Sequence, residues 1–257
     1  MKIVAISVGN NSNIKKNGAP QIYEHEMIDK EIINLSGKKN PNVLFVSHAS
    51  DKEFEISSYN KIINTYYKMY SCDVRLLSID MLEDKKTTKT LVNCSDIIYV
   101  GGGNTKKMLE LWKKYNFDEL LITASEQDKV LCGISAGASC WFDFSCSDYL
   151  QMELNDSSAP FKEVEGLGMI ELVFNPHANF EGRLEGMREV LKSINKNGVS
   201  LSNNVAIEII NDEYKIIEGL SSENENQFAL LSYWENGEYF TKKMEKTGKI
   251  KQLIKNN

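Results

Sequence analysis

Short runs rich in Val, Ile and Leu alternate with stretches of helical periodicity through the N-terminal half of this chain, and that alternation constrains the fold more than any other feature. Parallel strands cannot be joined by tight turns, so the rhythm implies a mostly parallel sheet with crossover helices on its faces. Strands are expected at residues 2–8, 42–47, 73–77, 97–100, 130–132 and 171–174. Helices are expected at 22–35, 53–69, 104–115, 117–127, 136–142 and 181–194. A Gly/Asn-rich loop follows the first strand, and residues 143–168 read as a loop over the site. Beyond residue 194 the texture changes to short alternating runs at 205–210, 213–218 and 228–233. These read as antiparallel strands, starting at about residue 199, that complete one domain spanning 1–257. In such α/β sheets ligands collect at the carboxyl ends of the strands. Both glycine clusters of the chain, 101–103 and 133–137, fall at such ends.

The second cluster, Gly133-Ile134-Ser135-Ala136-Gly137, reads G-x-S-x-G, the pattern of a nucleophile elbow. A buried strand precedes it and a helix-forming run follows. At such a turn the serine backbone is strained, and small neighbours let the chain double back without a clash. The hydroxyl is then held above the sheet, beside amides that favour developing negative charge. The bland alternative is a tight turn with a structural serine.

A serine nucleophile needs a base. Three histidines are available. His25 lies in a charged stretch, Glu24-His25-Glu26, and reads as surface. His48 follows the second strand and is the reserve candidate. His177, in Asn175-Pro176-His177, follows a strand that Pro176 ends, which suits a presented side chain and makes it the first choice. An acid should orient the imidazole. Asp143, Asp148, Glu153, Asp156, Glu163 and Glu165 all lie between Ser135 and His177, and the residues themselves do not choose among them. Gly101-Gly102-Gly103-Asn104-Thr105 closes a strand and opens a helix. Amides of Gly102 and Gly103 would supply half of an oxyanion hole, and the Ala136 amide the other half. A phosphate loop is the poorer reading, since no G-x-x-x-x-G-K-[ST] or G-x-G-x-x-G occurs in register. Asn104 reads equally well as a helix cap. Arg183 is able to clamp a substrate carboxylate, whereas Arg188 reads as ordinary helix surface.

Composition removes several function classes. Net charge is −6 and no long basic block occurs, which argues against nucleic acid and anionic membrane as partners. No apolar run approaches the length of a membrane span. The chain opens on a strand rather than a signal peptide. Five cysteines without a C-x-x-C pair read as reduced, mostly buried thiols of a cytoplasmic protein. Scattered His and Cys give no metal-ligand spacing, and no cofactor is called for.

In order along the chain, Gly101-Gly102-Gly103-Asn104-Thr105, Gly133-Ile134-Ser135-Ala136-Gly137-Ala138 and Asn175-Pro176-His177 resemble the peptidase E family of aspartyl dipeptidases, to which cyanophycinases are related. The resemblance runs from the first strand to about residue 220. It implies a three-layer α/β sandwich like that of class I glutamine amidotransferases, of flavodoxin-like type. It further implies a cofactor-independent serine peptidase, monomer or homodimer, that releases N-terminal Asp from Asp-Xaa. By position Ser135 matches the nucleophile and His177 the base, with Gly102, Gly103 and Ala136 at the oxyanion hole. Asp148 is the best match for the triad acid, and Glu153 stays open. Arg183 resembles the arginine that binds the aspartyl side chain, and Asn104 belongs to the substrate-binding set. The rivals are a cyanophycinase-like enzyme, an α/β-hydrolase esterase, and a non-catalytic protein on an amidotransferase-like scaffold. His177 follows Ser135 by only 42 residues, which speaks against the esterase.

Overall fold

The structure, a computed structural model, describes residues 1–8, 13–14, 22–220 and 226–254. Most of the expected Gly/Asn-rich loop lies outside the described residues, and residues 13–14 within it form a short strand. In chain order the first strands and helices are β1 (Lys2–Ile6), β2 (Asn13–Ile14), β3 (Ile22–Tyr23), α1 (Glu26–Leu35), β4 (Asn42–Val46), α2 (Lys52–Ser58), β5 (Asp73–Leu77), α3 (Lys85–Cys94), β6 (Ile97–Val100), α4 (Thr105–Tyr115), α5 (Phe117–Ser125), β7 (Val130–Ile134) and α6 (Ala136–Ser139). The chain continues with β8 (Phe142–Ser147), α7 (Tyr149–Leu154), β9 (Lys162–Glu165), β10 (Ile170–Asn175), α8 (Arg183–Ile194), β11 (Gly198–Leu201), β12 (Val205–Ile210), β13 (Glu213–Glu218), β14 (Ala229–Glu235), β15 (Glu238–Lys243) and β16 (Thr247–Lys249). Helix α2 runs on into a wider π-helical segment, Tyr59–Tyr67.

Two large mixed sheets result. The first has the order β16-β13-β12-β1-β7-β6-β4-β5. Its β1-β7-β6-β4-β5 portion is parallel, and β12, β13 and β16 extend it antiparallel from the β1 edge. The second has the order β15-β14-β11-β10-β8-β9. The parallel core therefore matches the expected rhythm, whereas the second sheet does not. Residues 143–168, read as a loop, form most of β8, then α7 and β9. The helix expected at 136–142 is a single turn, because the chain must re-extend at Phe142 to pair with β10.

Strand periodicity decides what each face buries. In β1, Ile3 and Ala5 join one apolar cluster while Val4 and Ile6 join the other. The same split divides Leu44 and Val46 from Val43 and Phe45 in β4, and Ile98 and Val100 from Ile97 and Tyr99 in β6. The larger cluster continues into the second sheet through Leu172, Phe174, Val199 and Leu201. The other face of that sheet is closed by α8, whose Met187, Val190 and Leu191 pack on Cys146 and Val173. The β6–α4 and β7–α6 connections, carrying the two glycine clusters, lie side by side because β6 and β7 are neighbours.

Candidate active site

Local sterics fix the turn after β7. A Cβ on Gly133 would stand 2.3 Å from the Gly137 carbonyl oxygen, and one on Gly137 would stand 2.1 Å from that of Val100. Only glycine fits at either place. Between them Ser135 adopts φ 56° and ψ −113°, a conformation that non-glycine residues avoid. Its N–H donates to the carbonyls of Ile6 and Ser7, each at 3.0 Å, so the neighbouring strand β1 holds the strained residue in place.

His177 follows β10 and also lies at positive φ, 58°. Its Nε2 is 2.8 Å from Ser135 Oγ. Its backbone N–H donates to Ser7 Oγ at 2.8 Å, and that hydroxyl donates onward to the Leu201 carbonyl at 2.9 Å. The Phe180 ring stacks on the imidazole at 5.3 Å between centroids. Burial, and then the nearby Arg183 guanidinium, push the His177 pKa down to about 3. The imidazole is thus neutral and able to accept the serine proton.

The glycine run passes directly beside this pair. A Cβ on Gly102 would come within 3.2 Å of Ser135 Cβ. Gly103 has φ 142°, and a Cβ there would strike the Ala49 carbonyl oxygen at 2.1 Å. The flanking amides are committed, Gly101 N–H to Val46 and Asn104 N–H to Ala49. Among the described residues, the Gly102, Gly103 and Ala136 amides have no such backbone partner. Asn104 caps α4, its Oδ1 accepting the Lys107 N–H at 3.0 Å, and it also lines the cavity.

Two sequence expectations fail on geometry. Asp148 does not meet His177 Nδ1, which is buried without a hydrogen-bond partner among the described residues. Asp148 instead pairs with Arg183. Nor is Arg183 free to clamp a substrate. It is 4% exposed, its guanidinium also donates to the Cys146 carbonyl at 3.2 Å, and it lies over the Phe161 ring. A guanidinium this deeply buried requires a carboxylate, so each expected role is used up by the other residue. Glu153 reaches only Lys106, at 4.0 Å. His25, expected at the surface, is fully buried, and desolvation lowers its pKa to about 4. His48, the reserve base, is locked by Trp112 Nε1–H on Nδ1 at 2.9 Å and by the Leu77 carbonyl at Nε2. Arg188 is exposed, as expected. All five cysteines are free thiols, four of them buried.

Ser135 and His177 open onto a cavity of about 850 Å³ lined by Phe45, Phe54, Tyr99, Ile134, Met152 and the glycine run. That volume accommodates a short peptide. Sequence reasoning missed Ser7, Phe180 and Lys107, the last another cavity liner. The available signal for Ser7 was a small polar residue at the carboxyl end of the strand beside the elbow strand.

No group of His, Cys, Asp or Glu among the described residues is arranged to hold a metal ion. No described helix is long and apolar enough to cross a membrane.

Residues 15–217 match the family described as peptidase family S51. An uncharacterized peptidase, YgaJ, of Bacillus subtilis (strain 168) is 30% identical over 190 residues, covering 72% of this chain and 76% of YgaJ. Among solved structures, a proposed peptidase E of Listeria monocytogenes EGD-e aligns with a TM-score of 0.61 at 20% identity, over 86% of this chain and 98% of that one. A peptidase from an acI-B1 Actinobacterium aligns with a TM-score of 0.67 at 15% identity, over 96% of each chain. At these identities the structural likeness concerns the fold.

Proposed function

Because the chain belongs to peptidase family S51, and so is a serine peptidase, we propose that it hydrolyses short peptides through Ser135 and His177 by way of an acyl-enzyme. The observation that carries this reading is the 2.8 Å contact between Ser135 Oγ and a neutral His177 Nε2, on a strained elbow at the mouth of a cavity. Ser135 attacks the scissile carbonyl while Nε2 takes its proton. Amides of Gly102, Gly103 and Ala136 stabilise the oxyanion, each worth about a hundredfold in turnover. The imidazolium then protonates the leaving amine, and water, activated by the same histidine, releases the acyl group. In place of an acid on Nδ1, the backbone bond to Ser7 and the Phe180 ring support the imidazole in its working position.

Release of N-terminal Asp from Asp-Xaa is the finer form of this proposal. Its support is the family likeness, and Arg183, engaged with Asp148, no longer adds to it. The test is hydrolysis of an Xaa-Leu dipeptide panel, with Asp-Leu included, by wild type, Ser135→Ala and His177→Gln. Cleavage that falls about a thousandfold or more in both variants is the expected outcome. Cleavage by Ser135→Ala at the wild-type rate would overturn the proposal, and a panel cut everywhere except at Asp-Leu would remove only the aspartyl preference.

A further inference from the structure

The wall of the Ser135 cavity is largely apolar, so any charged group of a bound peptide must find its partner at a few polar positions. Among the described residues lining it, Lys107 is the only lysine or arginine. His177 is neutral and turned to Ser135, and His48 has both ring nitrogens occupied. Asp51 is the acidic liner, and one of its carboxylate oxygens accepts the Phe54 N–H at 3.0 Å.

The placement of Lys107 works against its own helix. It stands in the first turn of α4, where the helix already carries partial positive charge and an ammonium group is unfavourable. No acidic residue occupies that turn. Its neighbour Lys106 is compensated from outside, by Glu153 at 4.0 Å and by the Tyr149 ring at 4.5 Å. Lys107 has no ion-pair partner among the described residues, and it is exposed. A long flexible cation, uncompensated, at the rim of a cavity that contains the reactive serine, suits an anionic ligand.

We propose that Lys107 binds the carboxylate of the peptide substrate, the task that the family likeness assigns to Arg183, while the apolar wall takes a hydrophobic side chain of the same peptide. This rests on the reading of the cavity as a peptide site. The carboxylate has two sources, an aspartyl side chain or the peptide C-terminus, and both present the same oxygens to the ammonium.

The experiment measures binding, so it does not depend on turnover. Calorimetric titration of Ser135→Ala compares Asp-Leu with Asn-Leu, and Leu-Leu with Leu-Leu amide. The same titrations are made on Ser135→Ala/Lys107→Met and Ser135→Ala/Lys107→Arg. Met keeps the apolar stem and the helix propensity while removing the charge. The expected result is a preference of about tenfold or more for the carboxylate member of at least one pair, lost with Met and kept with Arg. Loss in the Asp/Asn pair identifies the side chain as the source, and loss in the acid/amide pair identifies the C-terminus. Preferences left unchanged by Lys107→Met would overturn the proposal, as would no peptide binding at millimolar concentration. Lys107-dependent binding in a protein whose wild type cleaves no peptide would leave this proposal standing and defeat the hydrolytic one.

Discussion

At the scale of the residue, the electrostatics of His177 separate this site from a triad with a carboxylate behind the imidazole. Such a carboxylate would raise the histidine pKa, whereas burial and the Arg183 charge lower it here to about 3. The sign gives a direct prediction. A base that stays unprotonated far below its ordinary range keeps kcat/KM level on the acid side, so activity should show no loss between pH 7.5 and about pH 5, as measured with the best-cut dipeptide. An acid limb near 6.5 would mean that His177 is not depressed in the working enzyme. Replacing Arg183 by Met removes a charge that lowers the His177 pKa, so the acid limb should move up in pH in that variant. The pairing of Ser135 with His177 was legible in the sequence because their backbone demands are local: two glycines around one serine, and a proline before the histidine. The Asp148–Arg183 pair was not, because it depends on which of six acids a fold brings to a buried guanidinium 35 residues away.

At the scale of the element, the elbow is a packing problem as much as a catalytic one. Helix α6 starts so close to β6 that Gly137 nearly touches the carbonyl of Val100, the residue that leads into the glycine run. Gly137→Ala should therefore cost about 1–3 kcal/mol or more and abolish peptide cleavage, since the amides proposed to hold the oxyanion move with that strand end. Gly37→Ala, at φ 66° with nothing within 4 Å of the added carbon, serves as the comparison and should cost only about 1 kcal/mol of backbone strain without touching activity. Paired urea denaturation and activity assays check both, and an active Gly137→Ala protein would show that the elbow tolerates displacement. Elements with a dense apolar signature were legible: β5 and β6 fall where hydrophobic runs place them. Helix α3 was not foreseen, because Lys85–Cys94 is polar and buries only Thr88 and Val92. The second sheet escaped notice for a related reason. Edge strand β9 buries Val164 alone, and β11 is four residues long, so neither carries a readable period.

At the scale of the whole molecule, the serine belongs to one sheet and the histidine to the other, so the proposed catalysis requires the two sheets to be held in register. Ser135 stands at the carboxyl end of β7, and His177 lies just beyond β10. The apolar cluster they share is continuous but not directional, and alone it would not fix the angle of an imidazole. Ser7 supplies the directional link. It sits after β1 and is fully buried, and its carbonyl accepts the Ser135 N–H. Its hydroxyl accepts the His177 N–H and donates to Leu201 at the end of β11. One residue thus touches the backbone of both Ser135 and His177 and both sheets. Ser7→Ala would leave the part-buried His177 N–H without its partner, at a cost of about 1–3 kcal/mol in stability. It would also free the imidazole to drift, and a misplacement of this kind lowers turnover by about tenfold to a hundredfold. Because Ser7 does not line the cavity, KM should change little. A fall in kcat at constant KM marks Ser7 as a positioning residue. A variant that is less stable but turns over normally would show that the hydroxyl only joins the sheets, and that the 2.8 Å dyad contact is set by their packing alone.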